Sequence, residues 1–320
     1  MKISALHIAN LFDYGLYHGV SESSLRSYLS KHDLDVCNPQ NSVSELEFLA
    51  VFKALIFHSD NPHFGLNYGC YLNIKALSFI SEISLNASSI EQATLILQEY
   101  LNVSFPLVSI STKEEGAYYV LQLNCKLEDE TIRNHLLDIA YCFIFRELRL
   151  MLSEEFTPKL QLPYANISPY SIQLNSKIEN GPKHQILLDK NILKTEINKK
   201  KVKEIEYLLP KFMLMLDKKN KDYRAFSLQV RHMTLNMCSP EIPTFKQVSK
   251  QFPLSDRTIQ RKLTKEGLSF RRISDDIKRE LSFYLMKGRQ IKTQDIAYML
   301  GYSESSAYLH AVKRWGDNAP

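Results

Sequence analysis

The chain repeats itself toward its C-terminal end. Residues 248–263, VSKQFPLSDRTIQRKL, fall on residues 296–311, IAYMLGYSESSAYLHA. Val248 meets Ile296, Phe252 meets Leu300, Pro253 meets Gly301, Ser255 meets Ser303, Ile259 meets Ala307 and Leu263 meets Ala311. Apolar spacing, turn breaker and helix N-cap recur together, the mark of one supersecondary unit used twice. Helix, tight turn and short helix is the helix-turn-helix pattern. Between the copies, Phe270, Ile273, Ile277, Leu281 and Leu285 keep the spacing of an amphipathic helix, which predicts a rigid link between two small subdomains.

The first copy carries the stronger chemistry. On a wheel of about 100° per residue, Ile259 and Leu263 define an inward arc that also takes in Ser255 and Glu266. The outward arc holds Arg257, Gln260, Arg261, Thr264 and Lys265, all long or hydrogen-bonding side chains. Ser255 is a good N-cap and Gly267 a good C-terminal stop. Upstream, Phe245 and Val248 mark the preceding helix, and Pro253 breaks the chain before the next. A solvated surface helix has the same outer face. It leaves unexplained why the turn chemistry occurs twice.

The stretches LSDRTIQRKLTKEGLSF and IKTQDIAYMLGYSESSAYLHAVKRW resemble the DNA-binding domain of the AraC/XylS family of bacterial transcription regulators. The resemblance covers about the last 80 residues. It implies two recognition helices in successive major-groove segments, with base reading assigned to Arg257, Gln260 and Arg261. Arg forks to guanine O6 and N7, and Gln pairs with adenine N6 and N7. The second copy departs from the family pattern. His310 stands where an outward Arg is usual, with Leu309 beside it, although Tyr308, Ala311, Val312 and Trp315 keep an apolar face. Ser305, Ser306, His310 and Lys313 remain as DNA contacts, poor in strong base donors, so the second helix is expected to anchor mainly to phosphate.

Charge divides the chain the same way. Residues 218–320 carry 20 Lys and Arg against 10 Asp and Glu, whereas residues 1–217 carry 20 against 25. A basic C-terminal module is the footprint expected for a phosphate backbone. No apolar run is long enough to span a membrane, and a cytoplasmic location is expected. Five scattered cysteines without a C-x-x-C pair argue against a disulfide frame or zinc knuckle and read as buried thiols. His58 and His63 lie across an Asn-Pro turn without a third ligand, so no metal or cofactor is expected.

The first 217 residues mix signals. SIEQATLILQEYLNV and DETIRNHLLDIAYCFIFRELRLML read as helices, the second central. FPLVSIS and AYYVLQLNC flank TKEEG as a hairpin, with KLQLPY and HQILLD as further strands. DNPHFGLNYGCYL, SIEQATLILQEYL and LLDKNILKTEI resemble the arabinose-binding-like sensor domain that precedes AraC-type readers. The many aromatics, 17 Tyr and 16 Phe, read as core before they read as pocket lining. The polar DKKNK, 217–221, reads as a junction.

The prediction is an α+β N-terminal sensor domain, residues 1–217, followed by an all-α double helix-turn-helix DNA-binding domain, residues 218–320. Its expected function is sequence-specific transcription regulation, as an activator in concert with RNA polymerase. The expected partners are double-stranded operator DNA, a small organic effector and a second copy of the chain, with no membrane. Two alternatives stand beside it. A reader fused to a methyl-accepting repair module needs clustered, activated cysteines, and none of the five has such a context. An interaction module with weakened DNA binding is the other, and the intact Arg257, Gln260 and Arg261 speak against it. No Walker loop, nucleophile elbow or zincin motif suggests an enzyme.

Overall fold

The computed structural model describes residues 2–153, 155–216, 225–287 and 291–316. The strands are β1 Lys2–Ser4, β2 Ser42–Ser44, β3 Val108–Glu115, β4 Tyr118–Cys125, β5 Lys159–Leu162, β6 Ile178–Asn180 and β7 Gln185–Asp189. The helices up to the last strand are α1 Ala5–Gly15, α2 Glu22–Arg26, α3 Glu45–Ser59, α4 Phe64–Tyr71, α5 Asn73–Asn86, α6 Ile90–Ser104, α7 Glu130–Met151 and α8 Ser168–Leu174. Beyond it come α9 Lys190–Leu193, α10 Lys199–Met215, α11 Phe226–Asn236, α12 Phe245–Ser249, α13 Asp256–Lys265, α14 Phe270–Met286, α15 Thr293–Met299 and α16 Ser305–Gly316. The chain forms two compact units: Met1–Leu72, Glu82–Asn198 and Gln251–Pro253 in one, Asn73–Ser81, Lys199–Lys250 and Leu254–Pro320 in the other. The junction expected at 217–221 lies outside the described residues. No helix among the described residues is long and apolar enough to cross a membrane.

The first unit is built on a five-stranded sheet of order β3-β4-β7-β5-β6, antiparallel except for β5 and β6. The charged TKEE is not loop, as the sequence suggested, but strand. Glu115 pairs with Tyr118, so the turn is only Gly116 and Ala117, with Gly116 at φ +56°. Edge position explains this, because β3 pairs on one side and alternates buried and exposed only at its start. Lys113, Glu114 and Glu115 blunt the open edge against pairing with another chain.

Helix α7 packs across this sheet and is buried around most of its circumference. Asp129 caps it, its carboxylate accepting from Ile132 N at 3.1 Å. Against α7 lies α4, whose GLNYG stretch lets the two backbones approach closely. A Cβ on Gly65 would sit 2.4 Å from the His135 carbonyl oxygen, and one on Gly69 2.9 Å from Cys142 Cβ. Only hydrogen fits there. Many of the aromatics are core, although Phe57 is exposed: Tyr14 is ringed by Phe64, Tyr68 and Tyr71 at centroid distances of 5.7, 5.1 and 4.9 Å. Of the cysteines, Cys70, Cys142 and Cys238 are buried, but Cys37 is exposed on a loop whose turn is closed by Asp35, and Cys125 is half-buried.

The second unit is helical. Its central rod is α14, whose Ile273, Ile277, Leu281 and Leu285 are all buried in the predicted stripe. At an aliphatic burial of about 2 kcal/mol each, this stripe outweighs any surface ion pair in holding the subdomains together. Glu280 on α14 adds a polar link, bound to Arg231 of α11 at 2.8 Å and within 3.9 Å of Lys211 on α10.

Candidate nucleic-acid interface

Both helix-turn-helix copies form. In the first, Thr244 and Gln247 make a reciprocal capping box at the start of α12, and Ser255 caps α13 through Thr258 N at 3.2 Å. Helix α13 ends in a Schellman motif. Gly267, at φ +72°, donates to Thr264 O, and Leu268 donates back to Leu263 O, both at 3.0 Å. The same motif recurs at the end of α15 about Gly301, φ +77°, where Gly301 donates to Tyr298 O and Tyr302 to Ala297 O at 2.9 Å. Gly301 thus ends the first helix of the second copy by a left-handed turn that Pro253, its counterpart, cannot adopt.

On α13 only Ile259 and Leu263 are buried. Arg257, Gln260, Arg261, Thr264 and Lys265 all lie exposed on the other side, with the Thr264 hydroxyl donating to Gln260 O at 2.9 Å. The outward side of the wheel is therefore realised in three dimensions, while of the inward arc only Ile259 and Leu263 are buried, Ser255 and Glu266 being exposed.

The second copy needs one correction. Displacement by 48 put Ser303 at the N-cap and Ala307 inward, but α16 begins at Ser305, Ala307 is exposed and Tyr308 is buried. One extra residue precedes this helix. Counted from the helix start, Tyr308 takes the place of Ile259, and its hydroxyl meets Ser282 of α14 at 2.7 Å in the core. A tyrosine fits this inward slot because its polar tip has that partner. His310 then stands in line with Arg261, and Leu309, 54% exposed, with Gln260. Ser306 and Lys313 are exposed, Ser305 is half-buried, and the Ser306 hydroxyl donates to Glu304 at 3.0 Å. Arg314 reaches Asp275 on α14 at 3.4 Å, and Lys278 lies 4.4 Å from the centre of the Tyr302 ring. These contacts seat α16 and the turn before it on the rod.

Two features escaped the reading of the sequence. The first is Glu266, the residue that closes α13: its carboxylate accepts from Phe226 N and Ser227 N of α11, both at 2.9 Å. A hydrogen bond with the Ser227 side chain is the main cause that holds this carboxyl below its ordinary range. Glu266 is itself exposed, and its place beside Ile259 and Leu263 on the wheel was the signal that it faces a neighbouring helix. The second is a buried polar cluster in the first unit. Asp138 of α7 takes hydrogen bonds from Tyr164 at 2.9 Å and Tyr170 at 2.8 Å, and pairs with His184 Nε2 at 3.0 Å. Burial, followed by the Asp138 charge, pushes both tyrosine hydroxyls well above their ordinary range. Nothing in the spacing of these four residues announces the cluster, because they come from α7, α8, the exit of β5 and the approach to β7.

A sheet-based N-terminal unit followed by a double helix-turn-helix is the architecture of a one-chain transcription regulator. Residues 26–174 match the family described as the N-terminal arabinose-binding domain of AraC transcription regulators. The chain is 35% identical over 78 residues to the HTH-type transcriptional regulator Rv1395 of Mycobacterium tuberculosis, a stretch that is 24% of this chain and 23% of that relative. It is 21% identical over 307 residues to the HTH-type transcriptional regulator VqsM of Pseudomonas aeruginosa, covering 91% of this chain and 92% of that one. The crystal structure of the transcriptional regulator CdpR from Pseudomonas aeruginosa aligns over 85% of this chain and 89% of that chain, at 16% identity and a TM-score of 0.41. Its N-terminal part thus carries the arabinose-binding-like domain of AraC transcription regulators, and its relatives are HTH-type transcriptional regulators. This family and these relatives are regulators of transcription and not enzymes.

Proposed function

We propose that the protein is a sequence-specific DNA-binding regulator in which α13 reads bases and α16 mainly grips phosphate. The observation that carries this reading is the exposed row Arg257, Gln260, Arg261, Thr264 and Lys265 on a helix held from behind by Ile259 and Leu263. Ser305, Ser306, His310 and Lys313 are the proposed contacts of α16, and Leu309 offers an apolar tip suited to a thymine methyl group. We place the junction between sensor and reader near residue 217. The sensor, in this reading, takes a small organic effector or pairs two copies. Pairing favours a reader with two unequal helices, because a linked second copy raises the effective concentration at the operator. Activation through RNA polymerase in the cytoplasm completes the proposal.

Salt is the first test. If about six cations of the basic unit meet phosphates, log K falls against log[salt] with a slope near −5, as counterion release requires. Binding indifferent to salt would remove DNA from the account. The second test separates the helices. Arg261→Ala is expected to cost about 1–3 kcal/mol and to relax preference at one base position. His310→Ala, removing an imidazole that has no fork of donors, should cost under about 1 kcal/mol with little change in preference. Binding curves on the operator and its single-base variants check both. Loss of preference with His310→Ala but not with Arg261→Ala would make α16 the reader.

A further inference from the structure

Two buried side chains hold α13 from behind, and both lie on one face a single turn apart, Ile259 and Leu263. They set how deep the helix sits. They do little to fix its tilt and roll, and the tips of Arg257 and Arg261 swing with either. A helix used to read bases needs those tips held within about 0.5 Å and 10–20°. The third point of attachment is polar, and it comes from the residue that ends the helix.

We infer that Glu266 is a positioning residue for base reading, locking the C-terminal end of the recognition helix to the N-terminus of α11. The geometry is that of a helix cap supplied by another helix. Ala225, at the N-cap of α11, has no side-chain oxygen to offer, and no side-chain cap is made there. The first N–H groups of a helix have no partners within it. Glu266 takes two of them, from Phe226 and Ser227, at 2.9 Å each. A carboxylate at a helix N-terminus is favoured by the helix dipole, and ionised acceptors make the stronger hydrogen bonds. Lys262, one turn earlier on α13, has its ammonium nitrogen 5.1 Å from the centre of the Phe226 ring, so a cation–π contact accompanies the joint. Helix α11 is itself tied to the rod through Arg231 and Glu280 at 2.8 Å. The chain of restraint therefore runs from α14 through α11 to the end of α13. Glu266 reaches the DNA only through the pose it gives to Arg257, Gln260 and Arg261.

This inference rests on the DNA-reading function proposed above, and the experiment keeps the two apart. The full chain is first used to select its preferred duplex from a random library. Binding to that duplex, to versions altered in one half or the other, and to an unrelated duplex is then measured over a salt series for wild type, Glu266→Ala and Glu266→Gln. Glu266→Ala is expected to lose about tenfold or more on the selected duplex, with binding to the unrelated duplex and its salt slope unchanged. The loss of base preference should be confined to the half read by α13. Glu266→Gln, which keeps one acceptor oxygen, should fall between the two. Equal losses on both duplexes, accompanied by a lowered melting temperature, would make the contact merely structural and overturn the inference. Unchanged preference in both variants would overturn it as well. A wild-type chain that selects no duplex would instead strike the DNA reading itself, and the inference with it.

Discussion

Asp138→Ala is expected to destabilise the first unit by about 3–5 kcal/mol, because it strands two tyrosine hydroxyls and an imidazole that converge on one carboxylate. Asp138 and His184 are each 2% exposed and Tyr170 3%, so water does not replace the lost acceptor. A buried donor left without its acceptor costs about 1–3 kcal/mol. Tyr164 and His184 keep their mutual contact at 3.0 Å, which limits the total. Tyr164→Phe, deleting one donor and leaving the carboxylate two partners, should cost nearer 1 kcal/mol. Urea unfolding of the full chain, followed by near-ultraviolet signals from tyrosine, separates the variants. An Asp138→Ala midpoint equal to wild type would mean that the cluster is not the polar anchor of this unit.

Gly65→Ala poses two opposed effects, and their magnitudes decide the sign. Inside a helix, alanine in place of glycine is worth about 1 kcal/mol of added stability when nothing obstructs it. Here the added methyl carbon falls 2.4 Å from the His135 carbonyl oxygen and 2.6 Å from His135 Cα, both backbone atoms of α7. No rotamer change relieves that contact, so α4 must move away from the helix it is packed on. Overpacking of this kind costs about 1–3 kcal/mol and more where backbone must shift. Separation also weakens the hydrogen bond from Gly65 N to His135 Nδ1, 3.2 Å. We expect a net loss of about 2–3 kcal/mol, seen as a lowered melting temperature of the full chain. A variant as stable as wild type would show that the helix pair tolerates a wider spacing.

The reader unit was largely legible in the sequence, since what defines it is local. Caps, turn glycines and an i, i+3, i+4 stripe act within a few residues, and Ser255, Gly267 and the α14 stripe all stand where their spacing put them. The second copy was legible in its apolar face but not in its phase. Whether one extra residue is taken up before or within a helix depends on which side chain the rod accepts, and Tyr308 is accepted because Ser282 meets its hydroxyl. The sensor was legible in two of its helices, α6 and α7, and in four of its sheet strands. Its TKEE stretch was misread because charge signals a turn by composition, while an edge strand carries charge for a different reason.

By itself, then, the sequence determined the double helix-turn-helix, the basic and acidic division of the chain and the side chains that α13 turns outward, all consequences of periodicity and of neighbours within a turn or two. Tertiary structure alone decided where Glu266 finds its partners, 39 and 40 positions away. It also decided that Asp138 gathers Tyr164, Tyr170 and His184, and that Gly65 must have no side chain. Such contacts join residues whose separation along the chain carries no period. The packing that brings their elements together fixes them, and only then does a buried charge or a missing Cβ acquire its meaning.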